Sequence, residues 1–172
     1  KELNPNIFTK KKQSINLLED FDHNFIILIN GVLESKNFKY EDIEYIKLHE
    51  YKNDLTKKEE SSNSLINLNN ALHNGGYYLE IKKNYNFKKP LVVYNYFSND
   101  LKNKILNNKN SIKLNKGSEL TLIDYNEGNV QSNFIKNTVD TVSLDENAIL
   151  KNILIQESKS NGHFYKYIKS SL

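Results

Sequence analysis

Three segments of the chain share one short pattern, and this internal repeat constrains the fold more than any other feature of the sequence. The pattern is an apolar residue, any residue, a second apolar residue, two polar residues and then Gly or Asn. It occurs as LEIKKN (79–84), IKLNKG (112–117) and VSLDEN (142–147). The two apolar positions lie on one face of a strand. Because Gly and Asn enter the left-handed backbone region most readily, each copy predicts a strand followed by a sharp turn.

The copies begin 33 and 30 residues apart, and the similarity of the second and third copies extends past the turn. There Ser118 aligns with Ala148 and Leu120 with Leu150, while residues 90–94 supply the comparable strand after the first copy. A repeat of about 20–50 residues indicates a stacked architecture. Short strands and tight turns then predict a β-solenoid or β-helix. An antiparallel sandwich also carries Gly and Asn in its turns, so the repeat alone leaves both architectures open.

Residues 1–76 are predicted to form an N-terminal α/β lead-in before the coils of residues 77–172. The apolar run at residues 25–29 predicts a strand, and Asn30-Gly31 after it predicts a hairpin turn. Residues 45–51 alternate weakly and predict a further strand.

One helix is expected at the end of this lead-in, after a charged connector at residues 52–63. Ser62 or Ser64 is the expected N-cap, and Asn74-Gly75-Gly76 is expected to end the helix as a left-handed C-cap. Its apolar stripe is predicted to comprise Leu65, Leu68 and Leu72, with Ile66 and Ala71 beside them.

Composition excludes several classes of function. The net charge is +3, from 24 basic and 21 acidic residues, and every basic residue is Lys. The absence of Arg, which makes the bidentate contacts to guanine and phosphate, argues against a nucleic-acid partner. Cys is also absent, which excludes disulfides and thiolate metal sites. No run approaches the roughly 18 apolar residues of a membrane-spanning helix. No signal peptide is recognised, so we expect a cytoplasmic protein, with a plastid-type organelle as the alternative.

The four His residues show no metal-ligand spacing such as i, i+4. They are His23, His49, His73 and His163. His73 is expected to cap the helix C-terminus, where the helix dipole favours a charged imidazole. His163 and Glu157 could contribute to a mixed ligand set, but a structural role is favoured for both.

No other pattern predicts a catalytic site. The sequence has no nucleophile elbow and no glycine-rich phosphate loop. Glu119 and Asp124 are expected on a solvated surface. The run KKNYNFKK (82–89) mixes Lys with aromatic residues, as single-stranded nucleic-acid sites do. A long β-turn with a charged edge is the favoured interpretation. The sequence therefore assigns no catalytic, cofactor-binding or metal-binding residue.

Several segments between Leu68 and Phe164 occur in an order and spacing typical of a known family. They are LNNAL (68–72), GGYYLEIKKN (75–84), KPLVV (89–93), IKLNKGSELTLI (112–123) with Asp124-Tyr125, LDENAIL (144–150), ILIQE (153–157) and His163-Phe164, preceded by the strand and turn at 25–33. Together they resemble the SufB/SufD family of iron–sulfur cluster assembly proteins, in its SufD-like form. No single segment is specific, and residues 51–63 match least.

The resemblance implies a mainly β fold: a right-handed parallel β-helix (β-solenoid) fragment after a short N-terminal α/β region. In the family, SufB and SufD pair and carry the SufC ATPase, and the complex builds a nascent cluster and passes it on. The chain is accordingly expected to be a scaffold subunit rather than an enzyme, with SufB-like and SufC-like partners. No cofactor is expected in this chain, since the complex assembles the cluster. The lack of Cys favours SufD over a divergent SufB.

The family's SufC-docking helices and its SufB–SufD interface lie towards the C-terminus, beyond Leu172, so no docking residue is assigned. The coils are therefore expected to be truncated at the C-terminus. Because a stack cut between coils exposes an unpaired strand edge, we expect self-association, edge to edge near the C-terminus. The alternative function is a stand-alone β-solenoid module that binds carbohydrate or protein. A β-helix hydrolase is disfavoured because Glu119 and Glu146 do not occupy equivalent repeat positions.

Overall fold

A computed structural model describes residues 17–51, 61–128, 133–156 and 160–172. Most of the predicted charged connector and Glu157 lie outside the described residues. The regular elements are β1 (Asn24–Ile29), β2 (Val32–Asn37), β3 (Ile46–Glu50), α1 (Ser64–Leu72), β4 (Tyr77–Ile81), β5 (Leu91–Phe97), β6 (Ile105–Leu114), β7 (Glu119–Gly128), β8 (Phe134–Leu144), β9 (Ile149–Gln156) and β10 (Gly162–Ser171). Short 3₁₀ turns at Ile43–Tyr45 and Asn99–Leu101 precede β3 and β6. The fold is thus mainly β, as predicted.

The strands that are described form two five-stranded sheets, and from β4 onward the chain crosses to the other sheet at every strand. The first sheet has the order β2-β1-β5-β7-β9 and the second the order β10-β8-β6-β4-β3. Neighbours along β1-β5-β7-β9 and along β4-β6-β8-β10 are parallel. The antiparallel pairs among the described strands are β2 with β1 and β3 with β4. The antiparallel sandwich, which the repeat had left open, is therefore wrong.

The three copies of the sequence repeat occupy equivalent places in the second sheet. In register, Leu79 lies beside Ile112, and Ile112 beside Val142. The turn residues that end the copies all have positive φ: 58° at Asn84, 68° at Gly117 and 57° at Asn147. The predicted strand-and-turn unit is confirmed in every copy, and successive turns stack, since the Gly117 N–H donates to the Glu146 carbonyl (2.9 Å).

The N-terminal hairpin and the strand after it are confirmed. Asn30 and Gly31 have φ values of 48° and 81°, and they join β1 to β2. Such values suit the right-handed twist of a hairpin. The strand expected at residues 45–51 is β3.

The helix is confirmed, but three of its details are wrong. The N-cap is Asn63, whose side chain accepts a bond from the Leu65 N–H, rather than Ser62 or Ser64. The buried face centres on Ile66 and Asn69, and Leu72 is exposed. The C-cap is His73 in an extended conformation, so the expected left-handed cap at residues 74–76 does not form. Packing on the sheet, and not the apolar stripe, fixes which face turns inward.

Apolar side chains from both sheets pack against each other in one large cluster, centred on residues such as Leu79, Leu91 and Leu114. A separate apolar cluster comprises Phe97, Leu101, Leu106 and Phe134. Each of the strands β5, β6 and β8 contributes residues to both clusters, and buried polar residues lie between them along the strand. The interior between the sheets therefore contains a polar layer between two apolar ones.

Candidate docking surface

The two ends of the paired sheets differ in how their strands finish. At one end, the antiparallel strands β2 and β3 terminate the first and second sheet. At the other end the edge strands are β9 and β10, which are parallel to their neighbours and have no further described strand beside them. An edge strand presents a row of unpaired backbone N–H and C=O groups, to which another strand can add. We call the surface formed by β9 and β10 the open end.

The open end also exposes apolar side chains from both edge strands. On β9, Ile153 and Leu154 are 47% and 56% exposed, and on β10 Ile168 is 48% exposed. The other large members of the set are Ile149, Tyr165 and Tyr167. Because side chains alternate along a strand, these residues are divided between the two faces of each edge strand and do not form one continuous patch. Within the described residues, the open end therefore combines strand edges that no other described strand pairs with exposed apolar side chains.

Four charged side chains lie between the sheets below the open end, two of them buried and two partly buried. They are Asp124 of β7, Lys136 and Asp140 of β8, and Lys166 of β10, and we call them the charge cluster. The Lys166 ammonium contacts the Asp124 carboxylate and lies 2.9 Å from that of Asp140. The Lys136 ammonium donates to the Asn126 side-chain oxygen at 2.7 Å. The cluster is neutral as a whole, which is the condition under which charges are tolerated in an interior.

Amide side chains complete the hydrogen bonding of the two carboxylates. In each carboxylate, the oxygen that Lys166 does not contact accepts a bond from an Asn side chain. Asn95 donates to Asp124 at 2.6 Å, and Asn110 donates to Asp140 at 2.8 Å. Buried charges need such bonds because they have lost their hydration. The charge cluster is thus connected to β5 and β6 as well as to the strands that carry it.

The protonation of the cluster follows from burial and from its neighbours. Burial alone raises the pKa of Asp124, but Lys136 and Lys166 more than offset it and hold that pKa below its usual value. Burial lowers the pKa of Lys136, and Asp124 only partly compensates. For Lys166 the two aspartates outweigh burial and raise the pKa. Of the two lysines in the cluster, Lys166 is therefore the one whose protonated form is favoured, and it lies beside an ionised Asp124.

Sequence reasoning placed Asp124 on the surface, and the structure places it inside. The signal was present: Asp124 and Asn126 continue the two-residue phase of Leu120 and Leu122, which point inward. Glu119 lies at the start of β7, where it forms an ion pair with Lys151 at 2.8 Å. Its partly exposed carboxylate agrees with the expected solvated position.

The His residues do not converge. Among the described residues no three His, Cys, Asp or Glu side chains are grouped to hold a metal ion. His23 Nε2 lies 2.8 Å from the Tyr94 hydroxyl, His49 stacks on the Tyr78 ring, and His163 is exposed on β10. Because Glu157 lies outside the described residues, the disfavoured alternative that it shares a ligand set with His163 is not tested.

His73 is the C-cap of α1, as predicted, but its surroundings do not favour the charged ring that was expected there. It does follow the helix, with its Nδ1 3.1 Å from the Asn69 carbonyl oxygen. Burial lowers its pKa, however, so the environment disfavours the charged imidazole that the helix dipole was expected to favour. His73 lines a cavity of about 240 Å³ together with Glu50, Tyr51 and Gly75. Its role is that of a partly buried cap.

The run at residues 82–89 forms a turn, as the structural interpretation predicted. The turn is held by hydrogen bonds to the carboxylate of Glu41, which sequence reasoning did not identify. Glu41 is buried and accepts bonds from the backbone N–H groups of Lys88 and Lys89 and from the Tyr85 hydroxyl. Asn24 donates to the same carboxylate at 2.9 Å. The aromatic residue Tyr85 is thus directed into the protein, away from any ligand in solvent.

Comparisons of the chain with protein families, with curated proteins and with solved structures return no match. Within the part of the chain that the structure describes, no helix has the length and apolar character needed to cross a membrane. The open end, with the charge cluster beneath it, is the surface on which a functional proposal can be based.

Proposed function

We propose that this chain is a SufD-like scaffold subunit of an iron–sulfur cluster assembly complex, built as a right-handed parallel β-helix. The observation that carries the proposal is the register of the three repeat copies. Leu79, Ile112 and Val142 are in-register neighbours on parallel strands, as coils of a β-helix require. The resemblance in order and spacing between Leu68 and Phe164 supplies the family.

The subunit acts by binding and not by catalysis. Its partners are a SufB-like subunit and a SufC-like ATPase, and the iron–sulfur cluster is the cargo of the complex. Within the described residues, the parallel edge strands β9 and β10 support this role because a further coil of the same stack or a β-structured subunit can add to them. We place this activity in the cytoplasm, or in a plastid-type organelle.

Co-purification of the full-length natural protein from its own cells tests the proposal. We expect a SufC-like ATPase and a SufB-like subunit to elute with it in a stable complex. A strain expressing the tag alone is the control. Recovery of neither partner would contradict the proposed function, whatever the protein's own stability.

A further inference from the structure

Lys136 of β8 is almost completely enclosed, and its amine lies against the side-chain amide of Asn126. Lys136 is 7% exposed and Asn126 3% exposed. The Lys136 Nζ donates to the Asn126 Oδ1 at 2.7 Å, and Asn126 belongs to β7 of the facing sheet. The ring centroid of the buried Phe97 lies 5.2 Å from the same Nζ. A lysine amine and the carbonyl of an asparagine side chain are therefore held together away from water.

Burial prepares this amine to act as a nucleophile. An ammonium group is costly in an apolar site, and burial accordingly lowers the pKa of Lys136, which Asp124 only partly offsets. A desolvated lysine amine is one of the nucleophiles that proteins use against carbonyl carbons. The hydrogen bond to Oδ1 places the amine beside the carbonyl group of Asn126, so the two reacting groups already lie in contact.

Asp124 is the carboxylate that can take the proton which the amine must lose. It lies two residues before Asn126 on β7, and of the charged groups around Lys136 it has the largest effect on the pKa of that lysine. Burial raises the pKa of Asp124, and Lys136 has the largest effect among the groups that lower it. Transfer of one proton from Lys136 to Asp124 therefore removes two buried charges. It also removes the main influence that keeps Asp124 ionised.

We propose that Lys136 and Asn126 form an intramolecular isopeptide bond that joins the two sheets. The neutral Nζ attacks the Cγ of Asn126. The protonated Asp124 gives its proton to the departing side-chain nitrogen and takes one from the attacking nitrogen. The Cγ–Nδ2 bond breaks, ammonia leaves, and an amide between Nζ and Cγ remains, with nothing oxidised or reduced. The charge cluster stays neutral, because Asp124 keeps a proton while Lys166 remains paired with Asp140 at 2.9 Å.

The bond makes one contact between the sheets permanent. Strands β7 and β8 belong to different sheets, and the cross-link prevents those sheets from separating at this point. A covalent link also restricts the unfolded chain, as a disulfide does. Cysteine is absent from this sequence, so the isopeptide bond supplies a kind of cross-link that its thiol chemistry cannot. The reaction is a property of this chain alone and does not depend on the proposed function.

Mass spectrometry of the folded natural chain tests the bond. We expect most molecules to be lighter than the sequence mass by one molecule of ammonia. Trypsin should fail to cleave after Lys136, because an acylated lysine is not its substrate, and should release residues 117–151 as one peptide that lacks one ammonia. A chain with the full sequence mass would overturn the proposal. So would ammonia loss with normal cleavage after Lys136, which indicates a succinimide at Asn126.

Three variants test the roles of the reacting groups. Lys136→Arg keeps a positive charge and should have its full sequence mass. Asn126→Asp should release water instead of ammonia, because the amine then attacks a carboxylic acid. Asp124→Asn should lower the cross-linked fraction at least about tenfold, since the proton carrier is lost. Ammonia loss from Lys136→Arg, or an undiminished bond in Asp124→Asn, would contradict the mechanism. If Asp124→Asn does not fold, the leaving group of Asn126→Asp decides, and release of no water there counts against the bond.

Lys109 provides a matched control within the same chain. Its Nζ donates to the Asn70 Oδ1 at 3.2 Å, but both residues are only partly buried. Because solvent reaches this second pair, we expect trypsin to cleave normally after Lys109, and Lys109→Arg to lose ammonia as the natural chain does. Ammonia loss that disappears in Lys109→Arg and persists in Lys136→Arg would assign the reaction to the exposed pair and overturn the proposal.

Discussion

At the scale of single residues, the turns of the repeat depend on side chains that tolerate a left-handed backbone. Asn84, Gly117 and Asn147 all have φ between 57° and 68°. In this region a Cβ approaches the carbonyl oxygen, and a residue other than Gly, Asn or Asp pays roughly 1–2 kcal/mol. The repeat could be recognised from sequence because this requirement restricts the residue type at one position in each copy.

Substitution of Asn147 should show that cost. We expect Asn147→Ala to lower the free energy of unfolding by about 1 kcal/mol, because Ala loses the local tolerance that Asn has for positive φ. Asn147→Gly, the matched control, should stay within about 0.5 kcal/mol of the natural chain, since Gly accepts this conformation freely. Urea unfolding followed by circular dichroism measures both. Equal stability of the Ala variant and the natural chain would contradict the assigned backbone conformation.

The residues of the charge cluster illustrate what sequence could not supply. The inward phase of Asp124 is visible in the alternation of β7, as is that of Asp140 beside Val142 in β8. The partner that makes burial tolerable is Lys166, 42 residues beyond Asp124 and on the other sheet. Without that partner, a charged residue is reasonably expected on the surface. Pairing across sheets is a property of the three-dimensional register and has no local sequence signal.

At the scale of elements, strand and turn positions were predictable, and the orientation of α1 was not. Strands follow from apolar alternation and from Gly or Asn turns, both of which are local. The helix carries Leu on one face, yet it buries Asn69, which is fully inaccessible to solvent. The Asn69 side-chain amide donates to the carbonyls of Asn108 on β6 and Asn137 on β8, at 2.8 and 2.9 Å. Two hydrogen bonds to a sheet backbone outweigh the placement of one exposed leucine.

Asn69 should accordingly attach α1 to the second sheet. We expect Asn69→Ala to reduce the free energy of unfolding by roughly 2 kcal/mol, because two hydrogen bonds to buried carbonyls are lost. The amides of α1 should also exchange faster. Asn67→Ala is the matched control, since Asn67 is exposed and bonds locally to Ser61. An equal loss of stability in both variants would contradict attachment of α1 through Asn69, because Ala favours a helix at either position and helix propensity cannot cause the loss.

At the scale of the whole molecule, the two ends of the described sheets differ in the direction of their last strands. Strands β2 and β3 reverse direction and so finish the sheets, whereas β9 and β10 leave parallel edges available. Stacked β-proteins generally protect their terminal strands with caps or charged residues. Lys151 on β9 and Lys169 on β10 provide some charge, and six of the thirteen exposed positions of these two strands are apolar or aromatic.

Self-association through the open end follows from this arrangement, because two copies can add their edges to each other in an isologous contact. We expect sedimentation velocity to show a dimer whose fraction rises with concentration. The double variant Ile153→Lys/Ile168→Lys should weaken association at least about tenfold, since each copy would bring two new charges to the contact. Ile43→Lys makes the same chemical change at a residue that is 73% exposed just before β3, and it should have no effect. A monomer at high concentration, or equal weakening by Ile43→Lys, would contradict assembly through the open end, because only a specific contact there makes Ile153 and Ile168 matter more than Ile43.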